Sequence, residues 1–126
     1  RPGVIRYFLR RTFGRDEIDE DLWRYCCRSV RVPGASFAPL AFLSASLFSR
    51  DIRDVYEALE HPVWLAHGTR GDFADFSGAG WAREAPNWTV QAFPTGALPW
   101  FEVPDAFIPA WSNFLRLPPE AAVGAE

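Results

Sequence analysis

A chain of 126 residues, 48% hydrophobic and 16% aromatic, has enough apolar material for one small core, which excludes global disorder. A net charge of −3 excludes a general affinity for nucleic acid. No apolar run approaches the roughly 20 residues that cross a bilayer, and no secretory signal pattern is present, so no membrane contact is expected.

The charge is uneven. Residues 1–31 carry eight Arg against five acids, and the remainder is net acidic. The basic region reads as a solvated helix face, with contact to an acidic partner as the sharper alternative. The chain begins Arg1-Pro2-Gly3 and contains no Met, as expected of a processed, truncated or partly represented reading frame. Cys26 and Cys27 are adjacent. Neighbouring Cα atoms stand about 3.8 Å apart, closer than the usual disulfide span, so no bridge between them is expected. Two lone thiols without spaced Cys or His partners make no metal site. A reducing cytoplasm is the expected setting.

In chain order, Val4, Ile5, Phe8, Leu9 and Thr12 recur at helical spacing, and Gly14 is a stop. Asp16 is placed to cap a second helix with an acidic first turn and a buried stripe of Ile18, Leu22, Cys26 and Val30. Residues 35–48, with Phe37, Leu40, Phe42, Leu43, Leu47 and Phe48, read as a buried helix. Ile52, Val55, Tyr56 and Leu59 form another amphipathic segment.

The pattern changes at Pro62. Val63-Trp64-Leu65-Ala66 is a short continuous apolar run, the mark of a strand buried on both faces. Gly68 to Gly80 is a Gly- and Asp-rich loop. Trp88 to Phe93 alternates as a second strand, followed by a turn at Pro94-Thr95-Gly96. Asn87-Trp88-Thr89 is a formal glycosylation sequon, read as a chance match at the strand start. Pro104 opens a last helix with a stripe of Phe107, Ile108, Trp111, Phe114 and Leu115, and Pro118-Pro119 ends it. The expected organisation is a helical lid or covering region over 1–60, a strand–loop–strand–loop–helix core over 61–117, and a flexible tail over 118–126.

In parallel α/β sheets, active groups sit on loops leaving the C-terminal ends of the strands. Two such loops stand out: His67-Gly68-Thr69-Arg70-Gly71-Asp72-Phe73, and Gly96-Ala97-Leu98-Pro99-Trp100-Phe101-Glu102-Val103-Pro104. The first resembles the late strand and acid loop of the α/β-hydrolase family. The second is similar to that family's histidine loop, commonly Gly-His-x-Pro-x-x-Glu-x-Pro, and matches it at Gly96, Pro99, Glu102 and Pro104. The resemblance covers residues 60–116. It implies the C-terminal portion of a doubly wound, mostly parallel α/β sheet preceded by lid-type helices, with missing neighbour strands. It also implies hydrolysis of an ester, amide or related bond in a full-length form, by a Ser–His–acid mechanism without a cofactor.

Carried over residue by residue, Asp72 is the matching acid, with Asp75 as an alternative; the loop is one residue longer than the common form. A loop Asp capping a turn is the bland alternative. The expected histidine position is Ala97, which accepts no proton. Trp100 stands where some relatives carry a second His, and Trp is a donor only. His61 lies at the wrong end of the strand, and His67, at the correct end, reads as a packed, hydrogen-bonded residue. No Gly-x-Ser-x-Gly elbow occurs, and Ser44, Ser46 and Ser49 lie in an apolar helical stretch without flanking glycines. There is no Gly-rich phosphate loop, metal cluster or nucleic-acid motif.

Three readings follow. The chain supplies Asp72 to a hydrolase completed elsewhere, or it is a non-catalytic hydrolase-like binding or assembly protein, or it is a small helical interaction domain. Trp100 and Phe73 are the candidate contacts for a small-molecule substrate or ligand. The unpaired strand edges predict pairing with an N-terminal partner segment or with another copy of the chain.

Overall fold

A computed structural model describes residues 2–45 and 48–116. Seven α-helices, one short 3-10 turn and two strands follow each other in those residues. The helices are α1 (Pro2–Phe13), α2 (Glu20–Ser29), α3 (Phe37–Leu43), α4 (Ile52–Glu57), α5 (Trp81–Glu84), α6 (Pro99–Glu102) and α7 (Pro104–Leu115). The strands are β1 (Val63–Gly68) and β2 (Trp88–Phe93).

The two strands run parallel, with Val63 opposite Trp88 and Gly68 opposite Phe93. The doubly wound, mostly parallel sheet that the resemblance implies is therefore not what forms: among the described residues the only sheet has two strands. A doubly wound sheet needs further strands on both sides, and the other apolar segments here repeat at helical spacing and fold as helices.

Side-chain alternation splits the small sheet into two faces. On one face Trp64 and Phe93 meet α7, with Trp64 5.1 Å from Phe107 and 6.1 Å from Phe114 between ring centroids. Trp64 Nε1 also donates to Gln91 Oε1 on the neighbouring strand at 3.2 Å. On the other face Trp88 packs edge-on against Trp81 of α5 and Tyr56 of α4. Offset and edge-on ring pairs of this kind are the favoured aromatic geometry. Helices thus cover both faces of a sheet only two strands wide. The burial expected for β1 on both faces is partial: Val63 to Ala66 are half-buried, and only His67 and Gly68 are buried.

The best-buried part of the molecule lies at the C-terminal ends of the strands. Phe13 is 1% exposed, and Thr95 and Pro99 are also fully buried. Phe13, the last residue of α1, lies outside the stripe expected for that helix. It is buried because α1 ends against the β2–α6 loop, where Ala97 N donates to Thr12 O at 2.8 Å and Phe13 meets Phe101 at 5.9 Å. Val4 and Phe8, from the expected stripe, are half exposed, and Leu9 alone of that set is buried.

The second helix starts three residues later than expected. Its cap is Asp19, whose Oδ1 accepts from Leu22 N at 2.6 Å, and not Asp16. Asp19 has the extended backbone of a cap (φ −71°, ψ 116°) and places Glu20 and Asp21 in the first turn. Ile18, Leu22 and Cys26 are half-buried, while Val30 is 58% exposed. Arg6 grips Glu20 with both Nη atoms, at 2.6 and 2.8 Å, and lies over the Trp23 ring, which ties α2 to α1.

The apolar stretch over 35–48 forms a helix only across α3, and it is not buried: Phe37 is 76% and Leu43 75% exposed. Among the described residues its ring contact is with the neighbouring Phe48, 5.2 Å from Phe42, which leaves Phe37 and Leu43 in water. The expected contributions of Ser46 and Leu47, the Pro118-Pro119 stop and the tail fall outside the described residues.

Candidate functional site

The β1–α5 loop and the β2–α6 loop meet beside the end of α1, where the sequence places its candidate residues. Their approach depends on missing side chains. A Cβ on Gly68 would collide with the backbone carbonyl oxygens of Gly96 and Thr95, and one on Gly96 would collide with the backbone of Thr12 and Phe13. Gly14 and Gly71 face each other with φ of +63° and +80°, a region that L side chains rarely adopt, and each would strike the other's backbone if substituted. The Thr95 carbonyl then accepts from both Thr69 N and Arg70 N at 2.9 Å. Main-chain contacts thereby bring the two loops and the helix end together.

Glu102 is the polar centre of this arrangement. Its side chain is 5% exposed. Oε1 accepts from Gly96 N at 2.6 Å, and Oε2 accepts from Arg70 Nη2 at 2.5 Å, with Arg15 Nη2 3.6 Å from the same oxygen. A buried carboxylate persists when it is paired and hydrogen-bonded, and Glu102 is both. Arg70 Nε is buried with no partner among the described residues.

Asp72, the candidate triad acid, is half exposed and forms an ion pair with Arg11 of α1. Arg11 also donates to Tyr7 Oη at 2.9 Å. No histidine nitrogen contacts Asp72. His67 is buried and lies against Phe76, 4.8 Å between ring centroids, with Nδ1 2.7 Å from its neighbour's carbonyl oxygen at Gly68. A carbonyl oxygen only accepts, so Nδ1 is the donor, and Nε2 is buried and unpartnered among the described residues. Asp75, the alternative acid, closes its own turn by accepting from Ser77 N at 2.9 Å, and that main-chain donor holds its carboxyl below the ordinary value. Ala97 directs its N–H to Thr12 O. Trp100 is 55% exposed and touches Phe107, while Phe73 is 53% exposed; no ring contact joins the two.

The loops thus converge as the spacing of their motifs suggests, but they do not bring acid and base together. The sequence reading missed the partners of this junction. Arg11 looked like part of a solvated face, and only the contact with Asp72 separates it from Arg10. Glu102 was visible as a matched motif position, without a role. Among the described residues no group of three His, Cys, Asp or Glu could hold a metal ion, and no helix is long and apolar enough to cross a membrane. No protein-family model matches the chain, and no curated protein or solved structure is found to be similar to it.

Proposed function

We propose that the chain is a non-catalytic, hydrolase-like module for binding and assembly, in which loops of the hydrolase kind serve as structural joints. The observation that carries this reading is the engagement of the acid loop: Asp72 is paired with Arg11, and the position aligned with the family histidine is Ala97, bound through its amide to Thr12. An acid assists nucleophilic catalysis by orienting a base, and here the carboxylate faces a guanidinium.

The assembly half of the proposal rests on exposed apolar surface. Phe37, Leu40, Phe42, Leu43 and Phe48 all stand more than half exposed around α3, and among the described residues β1 and β2 pair only with each other. Contiguous apolar surface and unpaired strand edges are what association covers. The partner is a polypeptide, either an N-terminal segment or a second copy. The free thiols Cys26 and Cys27 support a reducing, cytoplasmic setting.

Two measurements on the 126-residue chain test this. The expected outcome is no turnover of p-nitrophenyl esters, together with concentration-dependent association in light scattering. Turnover that disappears in Asp72→Asn would overturn the non-catalytic reading. A monomer at all concentrations that unfolds cooperatively would overturn the assembly reading.

A further inference from the structure

The structure holds a second feature that the assembly reading does not use. Between the C-terminal half of α1 and the β1–α5 loop lies an open cleft of about 500 Å³. Tyr7, Arg10, Arg11 and Arg15 line one side, and Gly71 and Asp72 the other, with Asp16 at the rim. The spacing explains the convergence. Tyr7, Arg10 and Arg11 share neighbouring rows of one helix, and the left-handed turn at Gly14 folds Arg15 back beside them.

The cleft contains three guanidinium groups and two carboxylates, so its own charge is positive in a chain of net charge −3. The donors are incompletely used. Arg10 engages Asp16 through Nε, which donates to its main-chain oxygen at 3.2 Å and lies 3.9 Å from its Oδ1, and the Nη groups have no acceptor among the described residues. Arg15 lies over the Phe13 ring and among the described residues has as acceptor only the Glu102 oxygen at 3.6 Å, which Arg70 already occupies at 2.5 Å. Tyr7 Oη accepts from Arg11, which leaves its own proton to donate. The amide protons of Gly71 and Asp72, at the opposite wall, also have no acceptor among the described residues. Arg11 is the fixed member, held by Asp72 and by Tyr7.

We propose that this cleft binds the phosphate group of a small phosphomonoester. Guanidinium forks and main-chain amides are the donor set that matches a tetrahedral, doubly charged oxyanion with several acceptors. A planar carboxylate would satisfy one fork and leave the others unmatched. The volume falls in the range of small-molecule sites, larger than a bare phosphate group, and the half-exposed Tyr7 ring, with the Arg11 guanidinium over it, adds aromatic surface for an organic body. The inference is independent of whether a polypeptide covers α3, because the cleft and that helix share no lining residue.

The test is a calorimetric titration of the 126-residue chain with inorganic phosphate, phenyl phosphate and benzoate at constant ionic strength. Saturable binding of phenyl phosphate is expected, tighter than inorganic phosphate and about tenfold tighter than benzoate, because only the phosphate fills several forks. Arg10→Gln, whose guanidinium holds among the described side chains only the exposed Asp16 carboxylate at 3.9 Å, weakens phenyl phosphate about tenfold with the fold intact by circular dichroism. Arg15→Gln is a second variant with the same expected direction. The proposal is overturned by no saturable binding up to about 10 mM, by equal affinity for benzoate and phenyl phosphate, or by folded Arg10→Gln and Arg15→Gln variants that bind like the parent.

Discussion

Residues 63–107 are less rich in large apolar side chains than residues 37–59, yet the latter are the ones that face water. In the first stretch Phe93 is 4% exposed, and Trp64 sits within a ring cluster with Phe93, Phe107 and Phe114. In the second, no described residue is buried; Phe37, Leu43 and Phe48 are 76%, 75% and 63% exposed. Hydrophobicity alone does not produce burial. Trp64 has partners because parallel pairing carries β1 beside β2 and the following helix returns over their shared face. Among the described residues the α3 segment has no such connection, and its ring contact is the local one between Phe42 and Phe48. α1 and α2 fall between these extremes, joined to each other by Arg6, Glu20 and Trp23 and to the core by Phe13.

The largest expected effect comes from the joint at the core. Gly96→Ala would drive a Cβ into the backbone of Thr12 and Phe13, atoms that cannot move without displacing α1. It should destabilise by about 3 kcal/mol or more, at the upper end of overpacking effects, and the urea unfolding midpoint measures it. A midpoint unchanged from the parent would mean that α1 is not docked there, and the contrast between core and periphery would collapse.

An intermediate effect is expected at the α1–α2 junction. Glu20 has its carboxyl held below the ordinary range, first by the hydrogen bond from Arg6. A depressed folded-state pKa means that the unfolded chain binds the proton more readily. The contribution is therefore complete above the ordinary Glu value of about 4.3 and is lost as pH falls through the lower folded value. Arg6→Gln should remove this contribution, so the variant is less stable than the parent near neutrality and the two converge as pH falls through the acid range. The emission of Trp23, taken as the difference from Trp23→Phe, reports the docking locally. An identical acid profile in Arg6→Gln would remove the ion pair from the account.

The smallest effect on folding is expected in α3. Phe37→Ser with Leu43→Ser should alter the unfolding free energy of the monomer by no more than about 0.5 kcal/mol, as at surface positions generally. The same pair should reduce association in light scattering if that face is the one covered. Loss of several kcal/mol in a monomer would show that α3 is packed after all, and would erase the difference between the two regions.

Much of the local structure was legible before any coordinates. Strand β2 has the bounds that its alternation indicates, and α7 starts at Pro104, which lacks the amide proton a helix interior requires. The start of α2 was misread, because Asp16 and Asp19 both have a capping side chain and only the backbone turn after Gly14 decides between them. α5 and α6, four residues each, were missed because a single turn shows no periodicity. At the site, the order and spacing of the two loops were readable, and so was the absence of a base at Ala97. The pairing of Asp72 with Arg11 was not, since 61 positions separate them and an Arg on a basic helix gives no sign of its partner.

The sequence by itself therefore determined the type and approximate place of the longer helices and of both strands, because periodicity, Pro and Gly act within a few residues of themselves. It also determined that no histidine stands at the expected place. Only the tertiary structure decided which apolar residues are buried, that the sheet has two strands and no more among the described residues, and that Glu102 and Asp72 are tied to arginines. These are relations between distant segments. Phe13 and Phe37 are the same residue type on helices, and one is buried while the other faces water because only α1 ends against the crossing of the two glycine-lined loops.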